Sequence, residues 1–375
     1  MNGENDWYNL NKQNGVVSMR TVARAFALGC VLFVLAPAGR VRAADTADQL
    51  LREGVALHDR GDYDGAIAKY RAALKIEPDN LQVTYELGFS LYAKGDRGEA
   101  EKVLRPAAAR TSPFQPALYG MLGNIDDDNG KLADAIKDYQ EAIRLAPNLR
   151  LAHFNLGVAY LRSGKLPEAR AALENEAVSN PNHPGTQLML GKTYARAGFR
   201  GPAALAFSRF LFMEPVSKRA DDARQELESL FAANVKQESP GHVTITMDPK
   251  ASKEEGDFSG ADLIMPMAQL NAGKPGPDGE VSDLEPPIER LATTLKVIAE
   301  MGNEKKSSGF AINYYLPFVK TLYDRQEIDL YCRIAYSGAT LAKNDAWLAQ
   351  HASDADELRF WANAFSWPSP TPRLP

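Results

Sequence analysis

Leu87-Gly88-Phe89-Ser90-Leu91-Tyr92-Ala93-Lys94-Gly95-Asp96-Arg97-Gly98-Glu99-Ala100 is the stretch that decides the fold. A glycine sits inside an apolar helical run, a helix breaker follows it by seven residues and an alanine by twelve. The same marks recur along the chain. Gly54, Gly88, Gly123, Gly157 and Gly191 are spaced by 34, 35, 34 and 34 residues. The breakers are Gly61, Gly95, Gly130, Gly164 and Gly198, and the alanines are Ala66, Ala100, Ala135, Ala169 and Ala203. Pro78, Pro147, Pro181 and Pro215 close four units, with Pro113 one place late in the remaining one. Each unit reads as helix, turn, helix, stop. A small residue in each helix lets two antiparallel helices approach closely, and a fixed period of this length specifies a stacked array of hairpins.

The repeat resembles the tetratricopeptide repeat, with small residues at positions 8, 20 and 27, large groups at 11, 17 and 24, and proline at 32. The resemblance covers residues 47–217. It implies an all-α, right-handed superhelical solenoid of five units, followed by a capping helix with Ala220, Ala223, Leu227, Leu230 and Phe231 on one face. Three positions depart from the pattern. Asp126 occupies position 11 of the third unit, and Glu176 and Phe210 occupy position 27 of the fourth and fifth, so local packing there must differ.

In such arrays the first helix of each unit lines the concave surface. Carried onto this chain, the resemblance assigns partner binding to Tyr85, Phe89 and Tyr92 of the second unit and Asn124 of the third, then Phe154, Asn155 and Arg162 of the fourth and Lys192 and Arg196 of the fifth. Rings with polar tips suit an extended or helical peptide. Asn124 and Asn155 match the amide positions of family members that grip a C-terminal carboxylate. Gly120, Gly185 and Met189 replace the cations of that clamp, which excludes this ligand class. The run Asp126-Asp127-Asp128-Asn129-Gly130 lacks the spacing of a calcium loop and reads as a solvated turn between helices.

Arg20 and Arg24 precede an apolar run, Ala25 to Ala38, that ends before Val41-Arg42-Ala43. Residues 1–43 therefore read as a leader and signal peptide starting at Met19, with an uncleaved anchor as the alternative. Export to the periplasm or medium is the expected localisation. Of the 43 basic and 48 acidic residues, removal of that leader leaves 38 and 46, an acidic balance that argues against a nucleic-acid partner. Cleavage would leave Cys332 alone, so it is expected as a buried thiol.

Residues 235–287 are rich in proline and glycine and read as a linker, with one short strand at His242–Met247 and an apolar stretch, Leu263 to Leu270. A helical module with an aromatic core is expected over 288–367, with helices near 288–301, 308–324, 325–342 and 354–366 and a kink at Pro317. The five histidines are dispersed, and neither a nucleophile elbow nor a phosphate loop is present, so no cofactor, metal or catalytic residue is expected. Glu254, Glu255, Asp257 and Asp262 read as a charged loop. The expected function is a non-catalytic adaptor or scaffold of the bacterial cell envelope. The rivals are an envelope assembly factor or holdase and an enzyme within the C-terminal module.

Overall fold

The computed structural model describes residues 46–233, 235–239, 242–245, 254–276, 279–301 and 308–370. The signal segment lies outside them. Five helical hairpins follow one another: α1 (Ala47–His58) with α2 (Tyr63–Ile76), α3 (Leu81–Lys94) with α4 (Arg97–Ala108), α5 (Gln115–Asp128) with α6 (Leu132–Leu145), α7 (Ala152–Arg162) with α8 (Leu166–Ser179), and α9 (Pro184–Arg196) with α10 (Arg200–Met213). Local chemistry starts and stops them. The side chains of Thr46, Asp62 and Asn80 accept from backbone N–H groups in the first turns of α1, α2 and α3. Gly95, at φ 98°, ends α3 in the left-handed conformation that disfavours any side chain.

Why position 8 is glycine follows from the hairpin contact. A Cβ added at Gly191 would stand 2.6 Å from the Phe207 ring, and one at Gly123 would stand 2.5 Å from the Tyr139 ring. The large residue at position 24 fills the space that the glycine leaves, and Tyr70, Tyr139 and Phe207 are fully buried there.

Each first helix also packs on the first helix of the next unit, from α1 through α9 and on to α11 (Lys218–Ala232), whereas second helices do not meet one another to the same extent. Elements that converge lie inside a curve, so the first helices form the inner face. The expected all-α solenoid, five units and a capping helix, is what the chain adopts.

Two expectations about the rest change. The segment 235–287 is not a linker throughout. It holds an antiparallel hairpin, β1 (Val235–Ser239) with β2 (His242–Ile245), and then α12 (Ser259–Asn271), which buries Ala261, Met265 and Ala268. The expected strand is thus real over its described residues, and its partner strand was not foreseen. After α13 (Pro286–Met301), α14 (Phe310–Asp324) runs through Pro317 without interruption. The stretch 325–342 is one short helix, α15 (Ile328–Ala335), followed by α16 (Ala342–Gln350), which periodicity missed, and α17 (Ala352–Ala364).

The aromatic core of this region is shared with the solenoid. One apolar cluster runs from Phe154 and Leu188 through α10 to Phe258, Tyr315, Tyr331 and Ala362. Every residue from Arg200 to Phe212 is buried, because α12, α13, α14 and α15 surround α10. Phe212 stacks on Tyr331 at 4.6 Å, and the Arg209 guanidinium lies 5.2 Å from the Phe318 ring and 5.1 Å from the Trp367 ring. Phe210 at position 27 is fully buried on the Phe207 side of α10, where the Arg219 guanidinium of α11 lies 5.7 Å from its ring. Glu255 is no solvated loop residue: it is fully buried, pairs with Arg170 at 3.1 Å and accepts from the Ala311 N–H at the start of α14. Cys332 is a buried thiol, as expected.

Candidate functional site on the inner face

The residues assigned to partner binding separate into two groups. In the first two units, rings gather at the surface. His58, at the end of α1, stacks on Phe89 of α3 with centroids 4.5 Å apart and meets Tyr63 edge-on at 5.2 Å. Phe89 is 6.4 Å from Tyr85, one helical turn away on the same face. Tyr85, Phe89, His58 and Tyr63 are all partly exposed. His58 is fixed by a 2.7 Å hydrogen bond between its Nδ1 and the hydroxyl of the buried Ser90, and burial lowers its pKa, which favours the neutral ring. The resemblance places His58, at position 12, on the inner face, but Ser90 was not among the residues it assigns. Stacking of adjacent first helices brings position 12 of one unit beside positions 9 and 10 of the next, and that is the signal that would have found Ser90.

In the third and fourth units, the assigned polar groups hold the array together. Tyr92 donates to Asp128 at 2.9 Å, and Arg97 reaches the same carboxylate. Arg162 pairs with Asp127 of the preceding unit. Asn155 donates to the Asn124 amide oxygen at 3.0 Å, and the Tyr139 hydroxyl donates to that oxygen at 2.8 Å. Phe154 is only 5% exposed and packs edge-on against His183. These are clasps between units, and the rotational freedom a ligand contact would need is already spent on them. Lys192 pairs with Glu226 of the capping helix at 3.3 Å. Arg196 is exposed and makes no ion pair among the described residues. The run Asp126 to Asp128 is a correction: it is the last turn of α5, with Asp126 and Asp127 buried and ion-paired, and not a solvated turn.

Burial lifts five carboxyls in the array, Asp128 and Asp138 among them, and three of them far. Glu86 is raised to about 7 by burial, with Asp59 adding to it, and Glu176 is raised to about 7 by burial against the opposing hydrogen bonds from Asn180 and Phe154. Asp127 is raised to about 6 by burial, opposed by Arg162. A carboxyl whose folded pKa is raised binds its proton more tightly when folded, so for the two glutamates stability falls as pH rises from the unfolded value near 4.5 through about 7. The chain is therefore expected to melt at a higher temperature at about pH 5.5 than at about pH 8. Glu86→Gln should stabilise by up to about 3 kcal/mol at the higher pH and leave stability unchanged at about pH 4. Thermal melts of both proteins across that range decide it; a stabilisation independent of pH would contradict the cause given.

Among the described residues no group of histidine, cysteine or carboxylate side chains is placed to hold a metal ion, and no helix is long and apolar enough to cross a membrane. Stacked helical hairpins with a lined inner face define the class of helical repeat proteins that present a surface for other proteins. Sequence comparison names the repeat. Residues 54–95 match a family model described as TPR repeat, and residues 85–149 and 121–185 match one described as tetratricopeptide repeat. The units over 54–185 are tetratricopeptide repeats, and the structure continues the same hairpin through α10.

Curated relatives share the repeats. A TPR repeat-containing protein of Methanocaldococcus jannaschii is 31% identical over 129 residues, which is 34% of this chain and 22% of that protein. Tetratricopeptide repeat protein 13 of Homo sapiens is 27% identical over 171 residues, 44% of this chain and 20% of that protein. The matches thus span about a fifth of the relatives' own lengths. Among solved structures, MamA protein is 25% identical, with 45% of this chain and 92% of that chain covered at a TM-score of 0.41.

Proposed function

We propose that this protein is a non-catalytic interaction scaffold of the bacterial cell envelope that captures a peptide or protein segment on its inner face. One observation carries the proposal: the rings of His58, Tyr85 and Phe89 stay partly exposed there, beside Tyr63 at the start of α2, while the C-terminal helices pack around α10. A scaffold whose C-terminal helices cover its last unit and leave aromatic surface on the inner side of its first two is built to present that surface. The apolar run Ala25 to Ala38 behind Arg20 and Arg24 supports the envelope location.

The geometry sharpens which residues test the proposal. Phe154 is unsuitable, because truncating it opens the core. Tyr85→Ala together with Phe89→Ala removes exposed ring area and leaves the buried contacts of Leu87, Leu91 and Val83 in place. Crosslinked capture from an envelope fraction is expected to lose its principal partner, with affinity down by about tenfold or more, while helicity is retained. Undiminished capture by the folded double variant would sink the proposal. Equal capture of many unrelated unfolded chains would instead identify a holdase.

A further inference from the structure

A second binding feature lies away from the rings, at the junction of the third and fourth units. The connector after α6, the first turn of α7 and the last turn of α8 enclose a cleft of about 310 Å³, with Asn148, Arg150, His153, Glu176 and Asn180 among its walls. That volume falls at the small end of ligand-sized clefts, roughly 300 to 1,000 Å³. Glu176 stands at position 27, where the first three units carry Ala73, Ala107 and Ala142.

The carboxylate is 3% exposed, yet its partners are neutral: the Asn180 amide at 3.4 Å and the backbone N–H of Phe154. No lysine or arginine lies within ion-pair distance of it among the described residues; Arg150 is exposed at the rim, beyond that reach. Part of the burial has a local cause. Leu151 enters α7 in a left-handed conformation, φ 61°, and provides no side-chain cap, so Glu176 accepts from the first turn in its place. Capping one N–H does not need a full negative charge, and a buried carboxylate without a cation is costly. Burial lowers the pKa of His153 and favours its neutral ring, against the opposing hydrogen bond from its Nε2 to the Pro147 carbonyl oxygen at 3.0 Å. Asn148 and Asn180 offer amide oxygens to an incoming N–H donor.

We propose that this cleft receives a lysine or arginine side chain of a protein partner, with Glu176 as the carboxylate that pairs with it. The proposal rests on the interaction reading above for the source of the side chain, and it is tested without any partner. The probe is Nα-acetyl-lysine methylamide, titrated into the full chain by calorimetry and NMR, with the norleucine analogue as the uncharged control. Saturable binding is expected for the lysine compound and not for norleucine. Glu176→Gln, which keeps an acceptor for the Phe154 N–H, should weaken it by about tenfold. Arg150→Ala, which removes the competing cation at the rim, should tighten it and provides the reading if the glutamine variant misfolds. Equal binding of norleucine, indifference to Glu176→Gln in a folded protein, or no saturation in either the parent or Arg150→Ala overturns the proposal. Those outcomes leave the ring surface of the first two units untouched as a separate question.

Discussion

A chain ending at residue 237 is expected to misfold locally even though it retains all five repeats and the capping helix. In a self-contained solenoid the last second helix keeps a polar outer face. Here α10 is buried on every side, and its cover comes from beyond the cut: Tyr331 on Phe212, Phe318 and Trp367 about Arg209, and Phe258 against Gly201. Removing that cover also strips the Ala177 carbonyl and the Gln187 amide of the Tyr314 and Tyr315 hydroxyls, and Arg170 of Glu255. Exposing four or five large apolar side chains costs on the order of 10 kcal/mol at about 2 kcal/mol each, comparable with the net stability of a whole domain. The loss should stay local, because the first two units and α5 have their own apolar cluster, from Ala47 to Ile125. Hydrogen exchange is expected to show protection retained in α1 to α5 and lost in α8 to α11, with dye-binding apolar surface and aggregation. A monomeric fragment with α10 amides as protected as in the full chain would refute it.

That dependence was partly legible in the sequence. Arg200 to Met213 carries apolar residues around its whole circumference, with Ala203, Phe207 and Phe210 on one side and Leu205 and Phe212 on the opposite one; such a helix has no solvent face. What was not legible was the source of the cover, since nothing local in Phe258, Tyr331 or Trp367 says which distant helix they meet. The repeats were readable because glycine at position 8 and a large residue at 24 are a contact within one hairpin. The candidate site was read less well for the same reason. Tyr85 and Phe89 show their surface through spacing on one helix, whereas the engagement of Arg162 by Asp127 and of Asn155 by Asn124 crosses between units.

Asp126 shows what such a crossing contact is worth. The other units place Leu57, Leu91, Tyr160 and Tyr194 at position 11, so an aspartate there exposes the array to an unpaired buried charge. Its side chain is 1% exposed, and Arg105 of the preceding unit answers it at 2.6 Å while also binding Asp138 at 2.7 Å and Glu101 at 3.1 Å. Lys131 adds a weaker contact to Asp126 at 3.4 Å. Arg105→Met keeps the stem and deletes the charge, leaving two largely buried carboxylates with little compensation. Removing one partner of a buried pair costs about 3 to 5 kcal/mol, and partial exposure of Arg105 together with Lys131 puts the expected loss at about 3 kcal/mol. The sign reverses when the carboxylate goes too. Arg105→Met with Asp126→Leu restores the side chain type used at position 11 elsewhere, and adding Asp138→Ala removes the remaining charge, so the triple variant should regain most of the loss. Denaturant titration of the single and triple variants measures both steps. A single variant within about 0.5 kcal/mol of the parent would mean that solvent, rather than Arg105, already balances Asp126.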